Sequence, residues 1–247
     1  GMLQHAVFTV PNYREGHTTA DNARALMVSA LLEEAGSGVA FDLASRYLAF
    51  VWYAFNTETG RFRNVMDYQR RWLEDTISDD SHGRTLWSLG TVLGRSTSLA
   101  LHNMAGWMFE QALPAILNTT SPRAWAFTLI GIHEYLRRFA GDRKANQVRE
   151  ELANRLLKMY QNIRTDEWRW NENELTYCNA ALPHALIMSG KWIPNTPMME
   201  AGFESLGWLA DLQRADAEGG HFVPIGSNGF YKKDGERARF DQQPVEA

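Results

Sequence analysis

Apolar residues recur at helical spacing along almost the whole chain, and alternating, strand-like stretches are nearly absent. Ala25, Val28, Leu31 and Leu32 define a helix over about residues 21 to 34, with Thr18 and Thr19 as capping residues and Gly36 and Gly38 ending it. A second helix, about 40 to 55, is apolar and aromatic nearly all round, which predicts burial on more than one side. A shorter helix carrying Tyr68, Trp72 and Leu73 follows. Further helices are predicted from about 83 to 94, 99 to 117, 122 to 139, 143 to 163, 175 to 188 and 197 to 215. Of these, 143 to 163 has one apolar face (Val148, Leu152, Leu156, Met159) and a charged opposite face, so it lies against solvent. A glycine-rich loop over residues 219 to 229, a possible hairpin around 220 to 232 and the start of a last helix from Phe240 to Ala247 complete the pattern.

The fold class is therefore all-α, built from helical hairpins. If the short helix at Tyr68 is an insertion, the helices starting near residues 21, 83, 122, 175 and 242 are every second one. These are rich in small and apolar residues, and four of them begin at polar, carboxylate-bearing segments. An inner and an outer ring of helices, an α/α toroid with the inner N-termini meeting at one mouth, accounts for that alternation. No fixed-period repeat supports a solenoid. One domain over residues 1 to 247 is expected. Gly1 reads as a tag remnant, and the helix start at the end of the sequence suggests that closing hairpins of the ring are missing.

Composition narrows the function. A net charge of -4 and a pI near 6.0 provide no basic field for a phosphate backbone, so nucleic acid is not the expected partner. No run of about 18 apolar residues marks a membrane span, and no secretory signal is visible. With the single cysteine, Cys178, this points to a cytoplasmic protein. Nine tryptophans are many for this length, and indole faces suit both core packing and the apolar faces of sugars.

The candidate chemistry lies at the helix starts. Ser78 to Arg84 brings Asp79, Asp80, His82 and Arg84 together, and Arg84 is placed to hold Asp80 from the next turn. Asp21, Asn22 and Arg24 form a second cluster, where Asp21 also suits the helix dipole. Trp168, Trp170, Glu172, Tyr177 and Asn179 interleave aromatic rings with a carboxylate and amides before an apolar helix. Asp241, Gln242 and Gln243 form the fourth cluster; amides both donate to and accept from sugar hydroxyls. The catalytic set expected from these is Asp80, Glu172, Asp241 and Asp21, with the others binding substrate. The spacing of Asp79, Asp80 and His82 matches no common metal-ligand set, and no cofactor motif such as a P-loop appears, so neither a metal nor a cofactor is expected.

At these clusters the sequence resembles a bacterial family of α/α-toroid domains in the six-hairpin glycosidase group, found alone or attached to sugar-nucleotide glycosyltransferases. The resemblance rests on His5 to Phe8 with Pro11, Thr19 to Ala25, Arg61 to Asn64, Asp80 to Gly90, Glu172 to Pro183, Pro224 to Gly226, and Phe240 to Ala247. It implies the helical toroid, an oligosaccharide or glycoconjugate ligand, glycoside-hydrolase-like chemistry and a possible glycosyltransferase partner. The chain departs from the family pattern where aspartates are expected at Ala20 and Cys178 and an arginine at Ala181. Three outcomes stay open: a glycosidase-like enzyme, a glycan-binding or scaffold domain without turnover, and a sugar epimerase or polysaccharide lyase using a base such as His82 or Tyr177.

Overall fold

The computed structural model describes residues 1 to 73, 78 to 215 and 220 to 246, and its architecture is helical. It divides into two compact units, Gly1–Arg149 and Glu150–Ala247. The first unit opens with a hairpin of β1 (Ala6–Val7) and β2 (Val10–Pro11), in which Ala6 pairs with Pro11 and Val7 with Val10. Strand β3 (His17–Thr18) leads into α1 (Thr19–Glu34), and α2 (Ala40–Ala54) returns. Then β4 (Phe55–Asn56) turns into β5 (Arg61–Phe62), and β6 (Val65–Met66) pairs back onto β3.

Next come α3 (Asp79–Arg95), α4 (Leu99–Ala112) running into a 3₁₀ turn at Leu113–Asn118, α5 (Pro122–Leu136) and α6 (Arg143–Ile163). Each of α1, α3, α4 and α5 begins at a Ser or Thr whose hydroxyl accepts a backbone N–H three residues on: Thr18, Ser78, Ser98 and Ser121. That contact satisfies one of the donors left open at a helix start.

Three of these helices run parallel. Backbone contacts pair Gly83 with Ala124, Gly90 with Gly131 and Gly94 with Glu134, so α3 and α5 ascend together. A Cβ on Gly90 would lie 2.1 Å from the Gly131 carbonyl oxygen, so only glycine permits this approach. At the far end Arg95 donates to both oxygens of Glu134 (2.7 and 2.9 Å) and to Glu34 (2.7 Å), tying the C-terminal turns of α1, α3 and α5. Burial works against the Glu134 carboxylate, but Arg95 prevails and holds its pKa below the usual value. From Ser81 to Leu93 every residue of α3 except Trp87 is buried, and in α5 only His133 escapes full burial.

In the second unit β7 (Glu174–Leu175) pairs with β8 (Tyr231–Lys232), and α7 (Ala181–Trp192) forms a hairpin with α8 (Thr196–Leu212), capped by Asn195. Gly190 lies against Met199 and Gly202 against Ile187, which fixes the two helices antiparallel and close.

Several boundaries differ from the sequence expectation. Helix α3 starts at Asp79 rather than near 83, because Ser78 caps it and the two aspartates suit its first turn. Residues 67 to 73 are a turn, not a helix, since Asp67 accepts both the backbone N–H and Nε of Arg71. Helix α2 leaves Phe41, Trp52 and Tyr53 exposed instead of burying its whole girth. Residues 175 to 180 are not helical, because Leu175 belongs to the pairing with β8; residues 220 to 232 form no hairpin of their own, Phe222 bridging to Arg214 instead. The last segment makes only a 3₁₀ turn, Pro244–Glu246. Gly219, the first residue of the predicted glycine-rich loop, lies outside the described residues.

Candidate functional site

The parallel order of α1, α3 and α5 brings their N-terminal ends to one end of the first unit. Residues 61 to 64 fasten two of those ends. Arg61 forms an ion pair with Asp79, Thr19 donates its hydroxyl to the Arg63 carbonyl (2.6 Å) and its backbone N–H to the Asn64 carbonyl (2.8 Å). Asn64 Oδ1 also accepts from the backbone N–H of Ala20 at 3.4 Å.

Asp80 stands in the first turn of α3, about a quarter exposed. Arg84 Nε donates to its Oδ2 at 2.8 Å, and the Arg84 guanidinium sits 4.2 Å from the Phe127 ring centre. The other carboxylate oxygen, Oδ1, is buried and has no hydrogen-bond partner among the described residues. Oδ1 is thus closed to a ligand, and the exposed quarter of the side chain lies outside it, on a carboxylate that Arg84 orients. Asp21, in the first turn of α1, accepts from the Thr18 hydroxyl and from Arg24 Nη2, each at 2.5 Å.

His82 and Asn22 occupy interior positions. Asn22 is fully buried; its amide donates to the Thr18 carbonyl (2.8 Å) and its Oδ1 receives the Met2 N–H (2.7 Å). His82 is fully buried 5.6 Å from the Phe62 ring. Neither ring nitrogen has a hydrogen-bond partner of good geometry among the described residues. Burial and the Arg61 charge push its pKa down to about 3, against weaker support for the cation from the Ala112 carbonyl and Asp79. The imidazole is neutral and sealed from solvent, so it supports the helix start from inside and offers no surface to a ligand here.

In the second unit the interleaved segment also turns inward. Trp168 and Trp170 are buried, packing against Trp208 at 5.2 and 6.2 Å, and Trp168 also meets Tyr231 at 5.2 Å. Trp168 Nε1 donates to the Glu172 carbonyl at 2.7 Å, which leaves the Glu172 side chain partly exposed. Tyr177 is exposed.

Asn179 is buried and donates to Glu246 Oε2 at 2.8 Å; the same carboxylate accepts the backbone N–H groups of Cys178 (2.5 Å) and Asn179 (3.3 Å). Glu246 thus closes the turn before α7, where Cys178 takes a left-handed φ of 49°. The resemblance expects an acid at position 178; here a distant acid meets that backbone instead.

Asp241, Gln242 and Gln243 are all exposed. Asp241 has φ 60°, bonds to the Ser227 hydroxyl and accepts from Gln243 Nε2 at 2.7 Å. The loop is anchored where Gly226 meets Phe240, a contact that a Cβ would block at 1.9 Å.

The first unit brings Asp21, Arg24, Asp79, Asp80 and Arg84 to one end of its parallel helices; Glu172, Tyr177, Asn179, Asp241 and the two glutamines lie in loops of the second. Sequence reasoning passed over two residues. Arg61 sits in a word already quoted for the family, and its charge beside an Asp-Asp pair was a usable signal. Glu246 left none, since its partners are 67 and 68 residues away. Among the described residues, no three His, Cys, Asp or Glu side chains gather in a way that could hold a metal ion, and no helix is long and apolar enough to cross a membrane.

No family model matches the sequence, and no curated protein matches it. Solved structures do. A sugar epimerase from a ruminal bacterium is similar with a TM-score of 0.70 at 11% identity, over 97% of this chain and 70% of that one. Cellobiose 2-epimerase from Bacillus thermoamylovorans B4167 is similar with a TM-score of 0.64 at 10% identity, over 93% of this chain and 68% of that one. This chain shares the α/α-toroid fold of these solved structures.

Proposed function

We propose that the protein processes carbohydrate, with Asp80 as the acid–base carboxylate and Asp21 as a supporting carboxylate in the first unit, and with Glu172 and Asp241 as the candidate carboxylates of the second, each unit taken by itself. The observation that carries this is Asp80 at the N-terminal end of α3, a carboxylate oriented by Arg84 that keeps about a quarter of its side chain exposed. In this reading Arg24 and Asp79 in the first unit, and Tyr177, Gln242 and Gln243 in the second, bind hydroxyls, while the buried His82, Asn22, Trp168, Trp170 and Asn179 support the backbone of their own units. The lone cysteine suits a cytoplasmic setting, and a glycosyltransferase is the partner that the family resemblance suggests.

Asp80→Asn and Glu172→Gln proteins, tested for glycan binding and for turnover, address the reading directly. Turnover lost with binding kept supports it. Failure of the unaltered protein to turn over any oligosaccharide leaves a glycan-binding domain, consistent with Ala20, Cys178 and Ala181 at positions where the family has charged groups.

Epimerisation is the second reading, favoured because the two solved structures described above carry the names sugar epimerase and cellobiose 2-epimerase. The exposed Tyr177 suits a base better than the sealed His82. Deuterium uptake next to the reducing carbon of a disaccharide in heavy water, without chain cleavage, identifies this chemistry; cleavage without uptake rejects it.

A further inference from the structure

Beside the β3 and β6 pair, the first unit holds a cavity of about 570 Å³ that none of the carboxylate clusters uses. This size lies within the range of small-molecule sites, about 300 to 1,000 Å³. Among the described residues its wall is charged with one sign: Arg46 projects from α2 and Arg70 from the turn after β6, beside His17, and no described carboxylate residue lines it. The acid closest in sequence to Arg70, Asp67, is committed to Arg71 through two bonds of 2.8 Å. The two guanidinium groups also depress the Gly1 amine, after burial, so both charges are felt inside the cavity.

Gly1, Ala49, Phe50 and Met66 complete the wall together with two tyrosines that are held in place. Tyr68 stacks on Tyr13 with ring centres 4.5 Å apart, and Tyr53 rests on Trp72 at 5.6 Å. Both lining tyrosines keep more than half their surface open. Arg70 itself has a left-handed backbone, φ 67°, which a residue with a side chain adopts at a cost, and the Tyr53 hydroxyl donates to its carbonyl at 3.5 Å. Paired guanidinium forks match carboxylate and phosphate alike, and flat exposed rings match the apolar face of a pyranose.

We infer that this cavity is a binding site for an anionic sugar, with its carboxylate or phosphate held by Arg46 and Arg70 and its ring laid against Tyr53 and Tyr68. The inference rests on the carbohydrate reading and adds the charge of the ligand. Calorimetric titration with glucuronate, glucose 6-phosphate, glucose and inorganic phosphate tests it. At least one anionic sugar is expected to bind about tenfold or more tighter than glucose and than inorganic phosphate.

The Arg46→Gln, Arg70→Gln double variant is expected to lose that preference, and the Lys, Lys variant, which keeps charge without the fork, to fall between. Whichever sugar binds more tightly identifies the oxyanion. Equal affinity for glucose, equal affinity for inorganic phosphate, or an unchanged double variant overturns the inference. Both arginines are exposed, so folding of the variants is checked simply by their unchanged circular dichroism. An Asp80→Asn protein keeps the preference if the sites are separate. Anionic-sugar preference without any turnover overturns the enzyme reading alone, and turnover without the preference overturns this inference alone.

Discussion

Asp80 and Asp241 are both candidate carboxylates, yet their backbones are fixed by different means. Asp80 rides on a helix that touches its parallel neighbour backbone to backbone at Gly83, Gly90 and Gly94, and Arg84, one turn on, orients its side chain. Asp241 stands in a loop with a left-handed φ, held by Ser227, Gln243 and the Gly226 contact. A helix-borne group inherits the precision of the packing beneath it, whereas a loop-borne group depends on a few polar contacts. The first arrangement resists change at one end through events deep in the core, and the second is exposed to change at every contact.

Four experiments sharpen that contrast. The largest effect is expected for Gly90→Val, which forces side-chain atoms into the Gly131 carbonyl; about 3 kcal/mol or more of unfolding free energy should be lost in urea melts. An unchanged midpoint would mean that α3 and α5 do not pack this closely. Glu246→Ala comes next, at about 2 to 3 kcal/mol, because it removes the carboxylate that accepts two backbone N–H groups and one bond of the Asn179 amide. If the loss stays below that of a surface substitution, the turn before α7 is held by something else.

The third is a pH effect. His82 has a folded pKa far below its ordinary value of 6.5, so the unfolded chain binds a proton that the folded chain refuses. Stability from this source is full above pH 6.5 and falls by about 1.4 kcal/mol per pH unit on acidification towards pH 3. Glu33, Glu134 and Glu204, whose pKa values are lowered, add to the loss only below about 4.5. Melts between pH 6.5 and 5 should therefore flatten in a His82→Asn protein; an identical slope would remove His82 as the cause. The smallest effect, about 1 kcal/mol, is expected for Ser78→Ala, which removes the cap under Asp79 and Asp80.

Much of the helical layout was legible in the sequence, because apolar spacing reports which faces are buried. Helix α6 matches its expected span from 143 to 163, and α5 begins at Pro122 as its Ser121 cap and N1 proline predict. The start of α3 was misjudged because the apolar period begins late, although Ser78 followed by two aspartates is a cap signal in its own right. Pairings distant in sequence left no local trace: Leu175 with Tyr231, and Glu246 with Cys178. The same holds for His82 and Trp170, whose imidazole and indole face suggested ligand contact but which the fold places in the core. Residue type shows what a side chain can do, and only packing decides whether anything reaches it.

The glycine contacts between α3 and α5 act as a vernier. Where Gly83, Gly90 and Gly94 meet the α5 backbone, neither helix can slide or rotate without driving backbone into backbone, so the axial setting of the two helix ends is decided several turns below them. Residues at those ends can then be exchanged one at a time without resetting the scaffold that presents them. A lineage carrying such a seam is free to exchange side chains at positions 79, 80 and 84 while the frame keeps its pitch.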